Sequence, residues 1–184
     1  MVGQIQKQLW EVAVDQYGYV TSKDARRLGI NVVELGKLAA RNQIKKVGHG
    51  IYRFSQLPAH PLDAFMLATL WANGHGVLSH DTALDLHGLC DINPSKIHIT
   101  VGGKRVPERK GGVLYAVHLD DLDSSQITRY EGIPIVGIAT AIDQCIRSGV
   151  SLYLLTQALT TAKERGAVTK SEHDELAASL EARR

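Results

Sequence analysis

The sequence predicts an α+β fold in two parts, and three observations predict it. Within the first 57 residues helical periodicity recurs three times, then gives way to two β-prone runs joined by Gly-x-Gly. Pro58 and Pro61 follow, a pair that suits neither a helix interior nor a central strand. Beyond them, strand-like runs mix with longer helical stretches. Helix, helix, tight turn, helix, hairpin is the order of a winged helix-turn-helix. The expected organisation is therefore an N-terminal winged helix-turn-helix over residues 1–57, a linker, and a larger mixed α/β domain over 62–184.

The first helix is expected over about 5–17, with Ile5, Leu9 and Val12 on one stripe and Gly18 as its stop. Thr21 with Asp24 three residues on makes a capping-box-like start for a second helix, which closes at Leu28 before Gly29. Asn31 is expected to cap a third helix reaching about residue 43. Its Val32, Leu35, Leu38, Ala39 and Asn42 follow the spacing of a core face. Residues 44–47 and 51–54 form the hairpin, or wing, around Gly48-His49-Gly50. In the second part helices are expected over about 62–73, 80–87, 140–147, 152–165 and 171–183. Strands are expected over 96–101, 113–119 and 133–138, with a glycine-rich loop over 102–112.

The net charge of +2 hides an asymmetry. Residues 1–57 hold nine Lys and Arg against four acids, a net +5, while the remainder carries twelve against fifteen, a net −3. A basic N-terminus faces nucleic acid more readily than the rest of the chain does. Cys90 and Cys145 stand far apart without a CxxC pair, which argues against a disulfide framework or structural zinc and for a reducing compartment. Polar Gln4, Gln6, Lys7 and Gln8 occupy the place of a signal peptide's apolar core, so a cytoplasmic protein is expected.

On the third helix the stripe opposite the core is Asn31, Glu34, Lys37 and Arg41. A helix fits the major groove, and these side chains can reach base edges and flanking phosphates. Glu34 can accept from cytosine or pair with Lys37, and the spacing does not choose between them. Gly36 and Ala40 are small enough to let a duplex approach. Lys45, Lys46, His49 and Arg53 make a basic wing suited to phosphates, and Lys23, Arg26 and Arg27 on the second helix are further phosphate contacts. Lys104, Arg105, Arg109 and Lys110 form a second basic patch in a loop that lacks phosphate-loop spacing. For both helix and wing the plainer alternative is a solvated, solubilising surface.

His60, His75, His80, His87, His98 and His118 cluster in sequence, with Asp81 and Asp85 near His80 and His87. No HExxH, Gly-x-Ser-x-Gly or dinucleotide fingerprint accompanies them, so neither a metal, a cofactor nor catalysis is expected. Ser79-His80 and His87-Gly88 read instead as helix boundaries. Two further classes stay open: a His/Asp-dependent phosphate-handling enzyme, and a repressor whose second domain binds a ligand or dimerises.

The strings 19–25 and 46–53, with Val77-Leu78-Ser79-His80-Asp81-Thr82-Ala83-Leu84, His87-Gly88-Leu89, 96–101 and 132–136, resemble the AbiEi antitoxin family of bacterial regulators. The resemblance runs over roughly residues 4–145. It implies autorepression through inverted-repeat operator DNA, in a type IV toxin–antitoxin or abortive-infection system whose toxin is a nucleotidyltransferase. Many relatives carry a Pro-x-Arg-Thr-like turn before the helix containing Asp143. Here Ala139-Thr140-Ala141-Ile142 lacks both the proline and the arginine, so no role tied to that arginine carries over.

Overall fold

The computed structural model describes residues 2–103 and 111–183. The chain divides into two compact units, residues 1–75 with 107–113, and 76–106 with 114–184.

The first unit begins with α1 (Val2–Asp15), which buries Leu9 and Ala13 and lays Ile5 and Trp10 against the same cluster. The stripe runs through Ala13; Val12 is only half-buried and lies outside that cluster. Tyr17 and Gly18 both take positive φ, +54° and +89°, to reverse the chain. A Cβ on Gly18 would already touch Arg53 and Leu57 at 3.4 Å, so glycine suits this position both conformationally and sterically. The chain then enters β1 (Tyr19–Thr21), a strand absent from the sequence reading. Thr21 caps α2 (Ser22–Arg27) through the expected reciprocal box with Asp24. After a left-handed Gly29, α3 (Val33–Ala40) is shorter at both ends than its periodicity suggests. Asn31 contributes as foreseen by accepting from the Val33 N–H at 3.0 Å, although the cap position itself falls on Val32. Asn42 has left the helix with φ +57° and is exposed, so it is not a core residue.

The wing is β2 (Ile44–Gly48) and β3 (Ile51–Phe54), turning on His49-Gly50, and β1 completes a sheet of order β1-β3-β2. One sheet face gives Val20, Ile44, Tyr52 and Phe54 to the core shared with Leu9, Leu35 and Leu38, with Trp10 edge-on to Phe54 at 5.2 Å. Next comes α4 (Asp63–Trp71). Sequence alone places this helix beyond the linker, in the second domain; by compactness it falls within the first unit. Its Asp63 pairs with Arg53 at 3.1 Å, which ties α4 to the other face of the sheet.

The second unit holds β4 (Val77–Leu78), α5 (His80–Leu86), β5 (Ile97–Val101), β6 (Tyr115–Leu119), β7 (Ile127–Tyr130), β8 (Ile133–Val136), α6 (Ile138–Ser148), α7 (Leu152–Glu164) and α8 (Lys170–Glu181). The sheet order is β6-β5-β4-β8-β7, antiparallel at β4–β5 and β7–β8 and parallel elsewhere. Leu78, Leu84, Leu89, Ile99, Ile133, Ile135 and Ile142 fill its core. The fold is α+β, a winged helix-turn-helix followed by a mixed unit. Among the described residues, no helix is long and apolar enough to cross a membrane.

Candidate nucleic-acid interface

Helix α3 is anchored by Leu35 and Leu38, which are essentially inaccessible to solvent. Side chains three and four residues apart share a helix face, so burying that pair turns Lys37 outward, with Arg41 just past the helix end. Both are exposed, as are Gly36 and Ala40, and nothing lies within 4 Å of where a Gly36 Cβ would stand. Lys37 Nζ donates to Glu34 Oε1 at 2.6 Å, so of the two roles open to Glu34 the structure displays the ion pair. That pair is exposed on the lysine side and is worth only about 0.3–0.5 kcal/mol, small enough for a phosphate or base to displace. Arg41 has no ion-pair partner among the described residues. Val33, three-fifths exposed, adds an apolar spot to the same end of the helix.

The basic wing is only partly as expected. Lys45 and Lys46 are exposed and successive, so they point to opposite faces of β2, an edge strand of the sheet. Their positive charges deter edge-to-edge pairing as well as attracting phosphate. His49 sits exposed at the tip. Arg53 is engaged within the unit: its guanidinium donates to Asp63 Oδ2 at 3.1 Å and to the Pro58 carbonyl at 2.9 Å, and lies 5.8 Å from the Tyr19 ring centre. Both partners of the ion pair are four-fifths buried. Tyr19 is buried beside them, and that burial, with the Asp63 charge, pushes its phenol up from the ordinary range. Arg53 thus pairs β3 with the start of α4. The signal that would have exposed it was Asp63, the first acid beyond the prolines, which sequence spacing could not connect to a strand ten residues earlier.

On α2, Arg27 pairs with Asp24 at 3.1 Å while remaining largely exposed, and Arg26 is exposed. Lys23 Nζ lies 3.0 Å from His75 Nε2, a pairing across 52 residues that periodicity does not reveal. The patch Lys104, Arg105, Arg109 and Lys110 lies outside the described residues.

The second unit gathers a different constellation. The His80 and His118 rings stack with centroids 3.5 Å apart, and His118 Nε2 lies 3.2 Å from His98 Nδ1. His80 starts α5 with φ +50°, a strained conformation for a bulky side chain, while its amide donates to Gln144 Oε1 at 3.3 Å. Ser79 is fully buried, accepts from the Thr100 hydroxyl at 2.8 Å and contacts His80 Nδ1 at 3.0 Å. Burial first, then the neighbouring imidazoles, holds His80 down to about 3. Burial also lowers His98, against an opposing pull from Asp81, and lowers His118. His87 does not join them; it closes α5 at the far end from His80, and its Nε2 meets the Val136 carbonyl at 2.9 Å. Cys145 is buried, and desolvation with the adjacent Asp81 raises its thiol. Among the described residues, no group of three or more His, Cys, Asp or Glu is placed to hold a metal ion.

A rigid apolar core behind an outward basic helix, with a basic hairpin following, defines the winged helix-turn-helix class. Residues 7–55 match the model of a family described as transcriptional regulator, AbiEi antitoxin, so the resemblance read from the sequence holds over that segment. No curated protein matches the chain. Among solved structures, the chain is similar to the RV2827C protein of Mycobacterium tuberculosis, at 14% identity and a TM-score of 0.46, over 96% of this chain and 81% of that one.

Proposed function

We propose that the chain is a DNA-binding autorepressor and the antitoxin partner of a nucleotidyltransferase toxin encoded beside it. The observation that carries the DNA half is the exposed Lys37–Arg41 end of α3, backed by the buried Leu35 and Leu38. In this reading α3 enters the major groove of operator DNA, an inverted repeat, while Lys45, Lys46 and His49 meet its backbone. The family match over residues 7–55 supports the regulator role of the first unit. The larger unit is assigned the antitoxin role on the resemblance of its residues 77–89, 96–101 and 132–136 to that family. It acts without chemistry of its own: Ser79 is sealed from solvent and His80 nearly so, both held by internal partners.

The test is binding to the chain's own promoter. Lys37→Ala and Arg41→Ala should each weaken binding by about 1–3 kcal/mol if the contact is to a base edge. Parent-like affinity in both variants would remove α3 from the interface. Rescue of cells expressing the neighbouring toxin tests the second half. Rescue lost together with promoter binding in Arg41→Ala would mean protection runs through repression alone.

A further inference from the structure

Beside the wing, the first unit encloses a concavity of about 580 Å³. Ser22, Lys23 and Arg26 line it from α2, His49 and Gly50 from the turn of the wing, and His75 from beyond α4. Among the described residues that line it there is no carboxylate. Asp24, the acid nearest in sequence, is turned inward and occupied by the Thr21 amide and hydroxyl, Gln16 and Arg27.

The Lys23–His75 contact sets the chemistry of this wall. An ammonium has only donors, so at 3.0 Å His75 Nε2 must be the acceptor. The remaining proton of the neutral imidazole is then on Nδ1, which becomes a donor. Lys23 keeps two further N–H donors, Arg26 presents a fork of them, and the Ser22 hydroxyl adds another. Gly50 supplies a wall without a side chain: φ is +66°, and a Cβ there would come within 3.1 Å of Ser22 Oγ. Its carbonyl is already taken by the Ser22 amide at 2.8 Å. Donors from α2 and from beyond α4 therefore line one space with the turn of the wing, and no acid among its described lining residues neutralises them.

The geometry points to a phosphate-binding site in this concavity, with Lys23, Arg26 and His75 donating to the phosphoryl oxygens. The phosphoryl group comes from a duplex backbone or from a free phosphorylated molecule; the chemistry is shared, and only the duplex source rests on the DNA-binding reading. His75 is the new element, because it lies outside the helix-turn-helix and the wing.

The experiment uses the full chain with Lys23→Ala, His75→Phe and, as control, Lys37→Ala. Lys23 and His75 are exposed, so neither substitution opens the core, and thermal melts verify this. Inorganic phosphate is titrated while the histidine ring resonances are followed by NMR, and duplex affinity is measured against salt for promoter and unrelated DNA. For a duplex source, His75→Phe weakens both DNAs alike by about three- to tenfold, the scale of one hydrogen bond. Lys23→Ala in that case lowers the salt slope by about one unit. For a free source, inorganic phosphate shifts the His75 ring saturably in the parent and in Lys37→Ala, and fails to do so in Lys23→Ala. Saturable phosphate binding by a chain that does not bind DNA would sustain this site and end the DNA reading. Loss of promoter binding in Lys37→Ala, with parental DNA binding in the other two variants and a parental phosphate shift of His75 in Lys23→Ala, would do the reverse and overturn this site.

Discussion

The two units place their ionisable side chains in opposite ways. In the first, cations stand outside a dry apolar core: Lys37, Arg41, Lys45 and Lys46 are exposed while Leu9, Leu35 and Phe54 are sealed. In the second, imidazoles are drawn inward, stacked, and held neutral by desolvation. A solvated cation costs little and remains available to a partner, whereas a buried imidazole shapes the fold and answers to protons. The first arrangement suits recognition of a polyanion. The second makes stability depend on pH.

The largest effect that sharpens this contrast is expected in the core beneath α3. Leu35→Ala empties a fully buried site and should destabilise the first unit by about 2–5 kcal/mol in denaturant unfolding. A cost below 1 kcal/mol would mean that α3 is not held rigid by its buried face.

Arg53 breaks the simple rule that the first unit's cations face out, and it can be separated from the rest. Arg53→Met leaves Asp63 without its cation, and one oxygen of Asp63 is already buried without a hydrogen bond. The expected loss is about 1–3 kcal/mol of stability, with the salt dependence of DNA binding unchanged. A flatter salt slope without a loss of stability would return Arg53 to the DNA surface.

For the second unit the sign follows from linkage. His80, His98 and His118 titrate lower in the folded chain than their ordinary 6.5, so below that pH the unfolded chain binds more protons. Their contribution is intact above about 6.5 and drains away as pH falls towards the folded values, about 3 for His80. His118→Phe keeps a ring to stack on His80 and removes one titrating group. It should flatten the acid limb of stability by up to about 1.4 kcal/mol per pH unit, read from urea midpoints between pH 4 and 7. An acid limb as steep as the parent's would show that this ring is not among those held neutral.

The smallest effect concerns the wing. Lys45→Ala with Lys46→Ala should lower affinity for every sequence alike and reduce the salt slope by about one unit per lost phosphate contact. Because the two side chains leave opposite faces of β2, a loss of one unit is expected to come from a single lysine, and the single variants identify which. A change in sequence preference at constant slope would contradict a backbone role.

Local chemistry alone determined much of the first unit. Thr21 and Asp24 fixed the start of α2, Gly18 the end of α1, and the β-prone runs around His49-Gly50 the wing, because caps, turns and strand alternation depend on residues a few positions apart. The outward stripe of α3 was legible for the same reason, since helical spacing that buries Leu35 and Leu38 must expose Lys37. What tertiary structure decided was every partnership across distance. β1 and β4 are too short to announce themselves and exist through pairing with β3 and β5. β7 escaped notice although Glu131-Gly132, both at positive φ, join it to β8 in a tight hairpin. Arg53 was matched with Asp63, Lys23 with His75, and His80 with His98 and His118. Residue type and spacing set what each side chain can do. Which of those capacities is exercised depends on what the folded chain brings within about 3 Å.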